Sequence, residues 1–117
     1  MLYLFNMTIM PNEGVFINRK ISQKEAEAIL VQYKHNFVSA IGHQGSADVF
    51  NAIFQYDLQT GEFGPKVVVN RISATMQAGD EAIALKVSGR LTEGTILTMD
   101  ELEKVGYEFY HILALGT

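Results

Sequence analysis

The sequence of 117 residues contains no cysteine. This absence excludes a disulfide framework and a thiolate metal site, and it fits a protein of a reducing compartment. The sequence also lacks an apolar run of the roughly 18 residues that a membrane-spanning helix needs, and no basic segment precedes its first apolar residues. We therefore expect a soluble protein of the cytoplasm, with no membrane partner.

Basic runs are missing as well. The formal net charge is −4, and lysine and arginine are dispersed along the chain. A protein that grips long duplex DNA usually presents an extended basic surface, so we expect no long duplex nucleic acid as a partner, and a transcriptional regulator is disfavoured. Any anionic ligand must therefore be held by a local cluster of cations.

Familiar catalytic motifs are absent too. The sequence has no phosphate-binding loop, no dinucleotide fingerprint, no zinc-protease motif and no nucleophile elbow. His35, His43 and His111 stand at no recognised metal-ligand spacing, and the acidic residues are scattered. We expect neither a metal nor another cofactor, and we interpret His111, which lies in an aromatic segment, as structural.

The composition favours one globular domain spanning residues 1–117. Hydrophobic residues make up 48% of the chain and charged residues 19%, which suits a packed interior. Apolar and β-branched patterns predict these strands: Leu2–Ile9, Val15–Ile21, Phe37–Ile41, Lys66–Ile72, Ala82–Val87, Thr95–Leu97 and Tyr107–Leu115. The predicted core includes four aromatic residues: Phe5, Phe50, Phe54 and Phe109.

Helices are predicted between these strands. Ser22 and Glu25 have the spacing of a capping box before an apolar stripe, a second helix is predicted from near Ser46, and a short third one after Thr98. Interleaved strands and helices predict an α/β (α+β) fold, in which helices flank a central mixed β-sheet of about five strands.

The stretch "SAIGHQGSA", at Ser39–Ala47, is the first candidate site. It places His43 between two glycines and just before a predicted helix. The N–H groups of a helix N-terminus can bind a phosphate, here at Gly45 and Ser46, and a histidine can donate a proton near neutral pH. The alternative is a solvated histidine beside an ordinary helix cap.

The loop "GRLTEG", at Gly89–Gly94, is the second candidate site. Arg90 could bind a phosphate as a fork oriented by Glu93, or the two could form a solvated ion pair worth ~0–1 kcal/mol. Arg71 could be a second phosphate contact or could cover the core with its alkyl chain. The amide of Asn6 should be satisfied by either the backbone or a ligand.

Six segments in this order resemble one family. They are "LYLFN", "SAIGHQGSA", "NRI", "GDEAIAL", "GRLTEG" and "DELEKVGYEFY". Together they resemble the viral ring nucleases, small anti-CRISPR proteins of archaeal viruses and phages, from Met1 to about Tyr110. The resemblance implies a metal-independent homodimer that cleaves cyclic tetra-adenylate, the second messenger of type III CRISPR immunity, into linear di-adenylates. It also implies that the cytoplasm is that of an infected host cell.

The resemblance assigns roles to residues of this sequence. The implied catalytic residues are His43, Arg90 and Glu93. The implied substrate-binding residues are Asn6, Thr8, Gly45, Ser46 and Arg71. Gly45 and Ser46 stand where relatives often have two small hydroxyl residues.

The implied chemistry suits these residue types. A ribose 2′-hydroxyl lies beside its own 3′-phosphate, so the nucleophile can belong to the substrate. Arg90 would then stabilise charge on the phosphorus oxygens, and His43 would protonate the leaving 5′-oxygen. Glu93 could orient the arginine or favour the protonated imidazole. The alternative function is a dimeric binding module that sequesters a cyclic oligonucleotide or a small anion without cutting it.

Overall fold

The computed structural model describes residues 1–6, 13–34, 36–54, 67–72, 75–87 and 106–116. Within them the chain forms an α+β fold of five strands and two helices, as predicted. The elements are β1 (Leu2–Phe5), β2 (Val15–Ile21), α1 (Gln23–Gln32), β3 (Val38–Ser39), α2 (Gln44–Phe54), β4 (Glu81–Val87) and β5 (Tyr107–Gly116). The predicted strand at Thr95–Leu97 and the predicted helix after Thr98 lie outside the described residues.

The five strands form one mixed sheet in the order β2-β5-β4-β1-β3. Strand β1 runs parallel to both β3 and β4, whereas β5 runs antiparallel to β4 and β2. The three parallel strands therefore end at the same side of the sheet, which we call the carboxyl edge. Strand β4 is central and β2 lies at the border of the sheet.

Helix α1 begins where the capping box predicts. The backbone N–H of Glu25 donates to the Ser22 hydroxyl over 3.1 Å, and the backbone N–H of Ser22 donates to the Glu25 carboxylate over 3.2 Å. Each bond satisfies a backbone donor near the helix start. Ala26 and Leu30 on the inner face are fully or almost fully buried. Neither α1 nor α2, the helices in the described part of the chain, is long and apolar enough to cross a membrane.

Helix α2 begins at Gln44, two residues earlier than the predicted start near Ser46. The reason is that His43 acts as the N-cap. Its carbonyl oxygen accepts the first helical bond, from the Ala47 N–H over 3.2 Å. Gly45 therefore lies inside the first turn of the helix rather than before it.

The predicted strand at Lys66–Ile72 is wrong for its described residues, 67–72, which form neither a strand nor a helix. An α2 side chain takes the place of a neighbouring strand at the start of this segment. The Asn51 amide donates to the Val67 carbonyl over 2.8 Å and accepts from the Val67 N–H over 2.7 Å. Strand β3 is also shorter than the predicted Phe37–Ile41, with two residues in the sheet.

The core occupies both faces of the sheet. The helix-covered face holds Leu2, Leu4, Ile83, Leu85 and Phe109 with residues of α1 and α2. Phe109 is 2% exposed, and its ring centroid lies 6.0 Å from that of Phe50 and 5.2 Å from that of Phe54. The opposite face holds four alanines together with Phe5, Met76 and Ile112. All four aromatic residues predicted for the core are buried.

His111 has a structural partner, in agreement with its interpretation from sequence. Its Nε2 atom lies 2.9 Å from one carboxylate oxygen of Glu81, and Tyr33 donates a hydrogen bond to the other. Burial alone would raise the pKa of the Glu81 carboxyl, but the bonds from Tyr33 and His111 and nearby positive charge outweigh it and lower this pKa. The bond to Glu81, helped by burial, raises the pKa of Tyr33 to about 12. Glu81 begins β4, so this cluster lies at the edge opposite the carboxyl edge.

These shifts predict how the free energy of unfolding depends on pH. Glu81 has a lowered pKa in the folded state, so its contribution is present above its unfolded pKa and is lost as the pH falls through the lowered folded pKa. Tyr33 has a raised pKa, so its contribution is lost as the pH rises from about 10 to about 12. Urea unfolding across these ranges measures both. Glu81→Gln removes the titrating carboxyl, so its free energy of unfolding should fall less steeply at acid pH than that of the wild type. An equal fall in both proteins would contradict this assignment.

Candidate functional site

The candidate site lies at the carboxyl edge of the sheet. Asn6 follows β1, His43 follows β3, and Val87 ends β4 just before the loop Gly89–Gly94 in the sequence. In sheets of this kind, ligands bind where parallel strands end, because loops and helix N-termini meet there. Among the residues that the sequence singled out, the structure describes Asn6, His43, Gly45, Ser46 and Arg71. Thr8, Arg90 and Glu93 lie outside the described residues, and their roles stay predictions.

His43 presents an exposed imidazole at the N-terminus of α2. The Gly45 N–H donates to its Nδ1 atom over 3.1 Å. A neutral imidazole that accepts at Nδ1 carries its proton on Nε2, so the hydrogen bond fixes the tautomer. The ring is therefore held by one nitrogen, and the other nitrogen is the one that can act on a ligand.

Gly45 and Ser46 are buried in the first turn of α2, and Ser46 is 8% exposed. The Gly45 N–H, which the sequence assigned to a phosphate, donates instead to the His43 ring. A doubly protonated imidazole has no acceptor nitrogen, so a second proton on the His43 ring breaks this bond and frees the Gly45 N–H for another partner. The assignment of both residues to ligand binding stays a prediction.

Two side chains hold the peptide groups on either side of Gly42. The Gly42 N–H donates to Oδ1 of Asn6 over 3.3 Å, and the Gly42 carbonyl accepts from Nε of Arg71 over 3.1 Å. We call these two bonds the Gly42 clamp. From the sequence we expected the Asn6 amide to bond either the backbone or a ligand, and its oxygen bonds the backbone. The exposed Arg71 reaches the residue directly before His43, so the structure brings these three predicted residues together.

Hydrogen bonds join segment 67–72 to residues 39–41, which precede His43. The Asn70 N–H donates to the Ile41 carbonyl and the Asn70 amide donates to the Ser39 carbonyl, both over 2.8 Å. The Ser39 hydroxyl, in a residue 8% exposed, donates to the Val68 carbonyl over 2.6 Å. Sequence reasoning gave Asn70 and Ser39 no role. The signal was a polar residue that interrupts an apolar run at Ser39 and one that ends an apolar run at Asn70.

A metal centre is not seen in the part of the chain that the structure describes. No three histidine, aspartate or glutamate side chains come together there in a way that could hold a metal ion. Arg71 brings a cation to the site. A guanidinium has five N–H donors, and the bond that the described residues give Arg71, from Nε to Gly42, uses none of the four on the two Nη atoms, which suit an anionic ligand.

Comparison with known proteins shows relatives mainly in archaeal viruses. The chain is 38% identical over 115 residues to the uncharacterized protein ORF117 of Acidianus two-tailed virus, covering 95% of this chain and 91% of the relative. It is 26% identical over 110 residues to the uncharacterized protein YddF of Bacillus subtilis, covering 94% of each.

A solved structure and a family model extend the comparison. The fold matches that of B116 of Sulfolobus turreted icosahedral virus with a TM-score of 0.72 and 22% identity, over 96% of this chain and 97% of that one. At this identity the likeness shows the fold alone. The family model described as STIV B116-like matches residues 2–109. The chain therefore belongs to the STIV B116-like family.

Proposed function

We propose that the protein is a metal-independent phosphodiesterase that cleaves cyclic tetra-adenylate into linear di-adenylates and so counters type III CRISPR immunity. The six sequence segments that resemble the viral ring nucleases support this proposal. The observation that carries it is the exposed imidazole of His43 at the carboxyl edge; its neutral form is held through Nδ1 by the Gly45 N–H.

The reaction uses the substrate's own ribose as the nucleophile. The 2′-oxygen forms a bond to the adjacent phosphorus, the bond from phosphorus to the 5′-oxygen breaks, and the 2′-hydroxyl proton leaves to water. The leaving 5′-oxygen takes its proton from Nε2 of the doubly protonated His43. Because such a ring cannot accept at Nδ1, the Gly45 N–H is released in this state and becomes a donor for a phosphate oxygen. The product carries a 2′,3′-cyclic phosphate.

Arginine side chains and the symmetry of a homodimer account for binding of the cyclic nucleotide. The Nη donors of Arg71 contact a phosphate while Nε stays on Gly42, and Arg90 stabilises charge at the reacting phosphorus. A cyclic tetranucleotide can have a twofold axis, so a symmetric homodimer offers each half of the ring the same surface. Two copies of Arg71 and of Arg90 then face four phosphates, which reconciles an acidic protein with an anionic ligand.

The test of this function is to incubate the protein with labelled cyclic tetra-adenylate in excess chelator. Products are separated by chromatography and weighed by mass spectrometry. We expect full cleavage to linear di-adenylate with a 2′,3′-cyclic phosphate. Tight binding without any product would favour the sequestering module instead, and cleavage that the chelator abolishes would contradict the metal-independent reaction.

A further inference from the structure

We propose that Asn6 is a positioning residue of this site, which acts through Gly42 on the His43 imidazole rather than by contacting the substrate. The inference rests on the proposed function, because it assigns a role within the same reaction. It replaces the substrate-binding role that the resemblance gives to Asn6.

The argument begins with the residue before His43. Gly42 has no side chain, so its backbone dihedral angles are free to vary more than those of any other residue type. A Cβ atom built on Gly42 would meet Cγ of Arg71 at an ordinary contact distance of 3.7 Å. Local packing by a side chain therefore does little to fix the chain here, and bonds from other segments must do so.

The Gly42 clamp supplies those bonds. Oδ1 of Asn6 holds the peptide group that precedes Gly42, and Nε of Arg71 holds the peptide group that joins Gly42 to His43. The two side chains come from opposite sides in the sequence, one from the end of β1 and one from segment 67–72. Together they fix the direction in which the chain enters α2, and hence the place of the ring that caps it.

The bond also shows which atom of Asn6 matters. The Gly42 N–H can only donate, so the Asn6 atom that faces it must be the carbonyl oxygen. Aspartate offers an oxygen at the same place but has no N–H group for a ligand. Asn6→Asp therefore keeps the positioning bond and removes any donor to the substrate.

The kinetic test compares Asn6→Ala with Asn6→Asp in single-turnover cleavage and in separate binding measurements. We expect Asn6→Ala to slow cleavage about 10- to 100-fold, because small displacements of a catalytic group have costs of this order, while the Kd changes less than about threefold. Asn6→Asp should restore most of the rate, although its charge weakens binding of the anion. A raised Kd with an unchanged rate in Asn6→Ala, or an Asn6→Asp variant as slow as Asn6→Ala, would overturn the proposal.

A second measurement does not depend on activity. Nitrogen-15 NMR of the substrate-free protein reports the Gly42 amide and the two ring nitrogens of His43. We expect Asn6→Ala to shift all three signals, and Asn6→Asp to leave them near their wild-type positions. Unchanged signals in Asn6→Ala would refute positioning even in an active enzyme. If the wild type does not cleave cyclic tetra-adenylate, the proposed function fails, but these signals still decide whether Asn6 positions the His43 imidazole. Thermal unfolding of each variant establishes that it is folded.

Discussion

Replacement of His43 with asparagine should slow cleavage of cyclic tetra-adenylate by about 10²–10⁴-fold, the range that general acid catalysis contributes. Asparagine has no group that can protonate the leaving 5′-oxygen. Its side-chain oxygen can still accept from the Gly45 N–H, as Nδ1 of His43 does. The expected result is a folded protein that still binds cyclic tetra-adenylate, with an affinity lowered by the one phosphate contact that the occupied Gly45 N–H no longer makes, and that turns it over very slowly. Single-turnover assays with a separate binding titration measure the two quantities.

His43→Ala is the matched control for the cap. Alanine removes both the proton donor and the cap acceptor, so we expect the same loss of turnover together with a loss of about 0.5–2 kcal/mol in the free energy of unfolding. Comparison of the two variants separates the chemical role of the imidazole from its structural one. Retained turnover in His43→Asn would contradict the general-acid role, whatever the behaviour of His43→Ala.

Phe109→Ala should lower the free energy of unfolding by about 3–5 kcal/mol, because it leaves a cavity among large buried side chains. Phe109 lies on β5, between β4 and β2, and its ring packs against Phe50 and Phe54 of α2. Small domains are stable by only about 5–15 kcal/mol, so the change removes a large share of that stability. Urea unfolding followed by circular dichroism gives the value.

Leu115→Ala is the control for this prediction. Leu115 lies on the same strand but is 52% exposed, so its truncation should change the free energy of unfolding by no more than about 0.5 kcal/mol. Equal effects of the two substitutions, or a loss below about 1 kcal/mol in Phe109→Ala, would show that the aromatic cluster does not hold α2 against the sheet.

Local signals in the sequence predicted most of the described fold. The capping box of Ser22 and Glu25 fixes the start of α1, and β-branched and aromatic residues identify the central strand β4 and its neighbour β5. These signals work because capping and burial depend on residues close together in the chain. The start of α2 was predicted too late because histidine is an uncommon N-cap and serine is a preferred one, so the prediction took the serine after Gly45 as the start.

Features that depend on distant residues could not be predicted. Residues 67–72 have the composition of a strand, but bonds from Asn51 and to Ile41 hold them outside the sheet. The sequence marked Asn6 and Arg71 as candidates for a ligand. It could not show that both reach Gly42, because that requires β1, β3 and segment 67–72 to be brought together by folding.

The central claim is that cyclic tetra-adenylate supplies its own nucleophile. A cyclic tetra-adenylate with 2′-fluoro groups in place of its 2′-hydroxyls tests this claim most directly. Fluorine is close in size to hydroxyl but cannot attack phosphorus. The account predicts that the protein binds this ring and leaves it uncut in excess chelator, while the unmodified ring is cleaved under the same conditions. Cleavage of the fluorinated ring would require a nucleophile from water or from the protein, and would contradict the account.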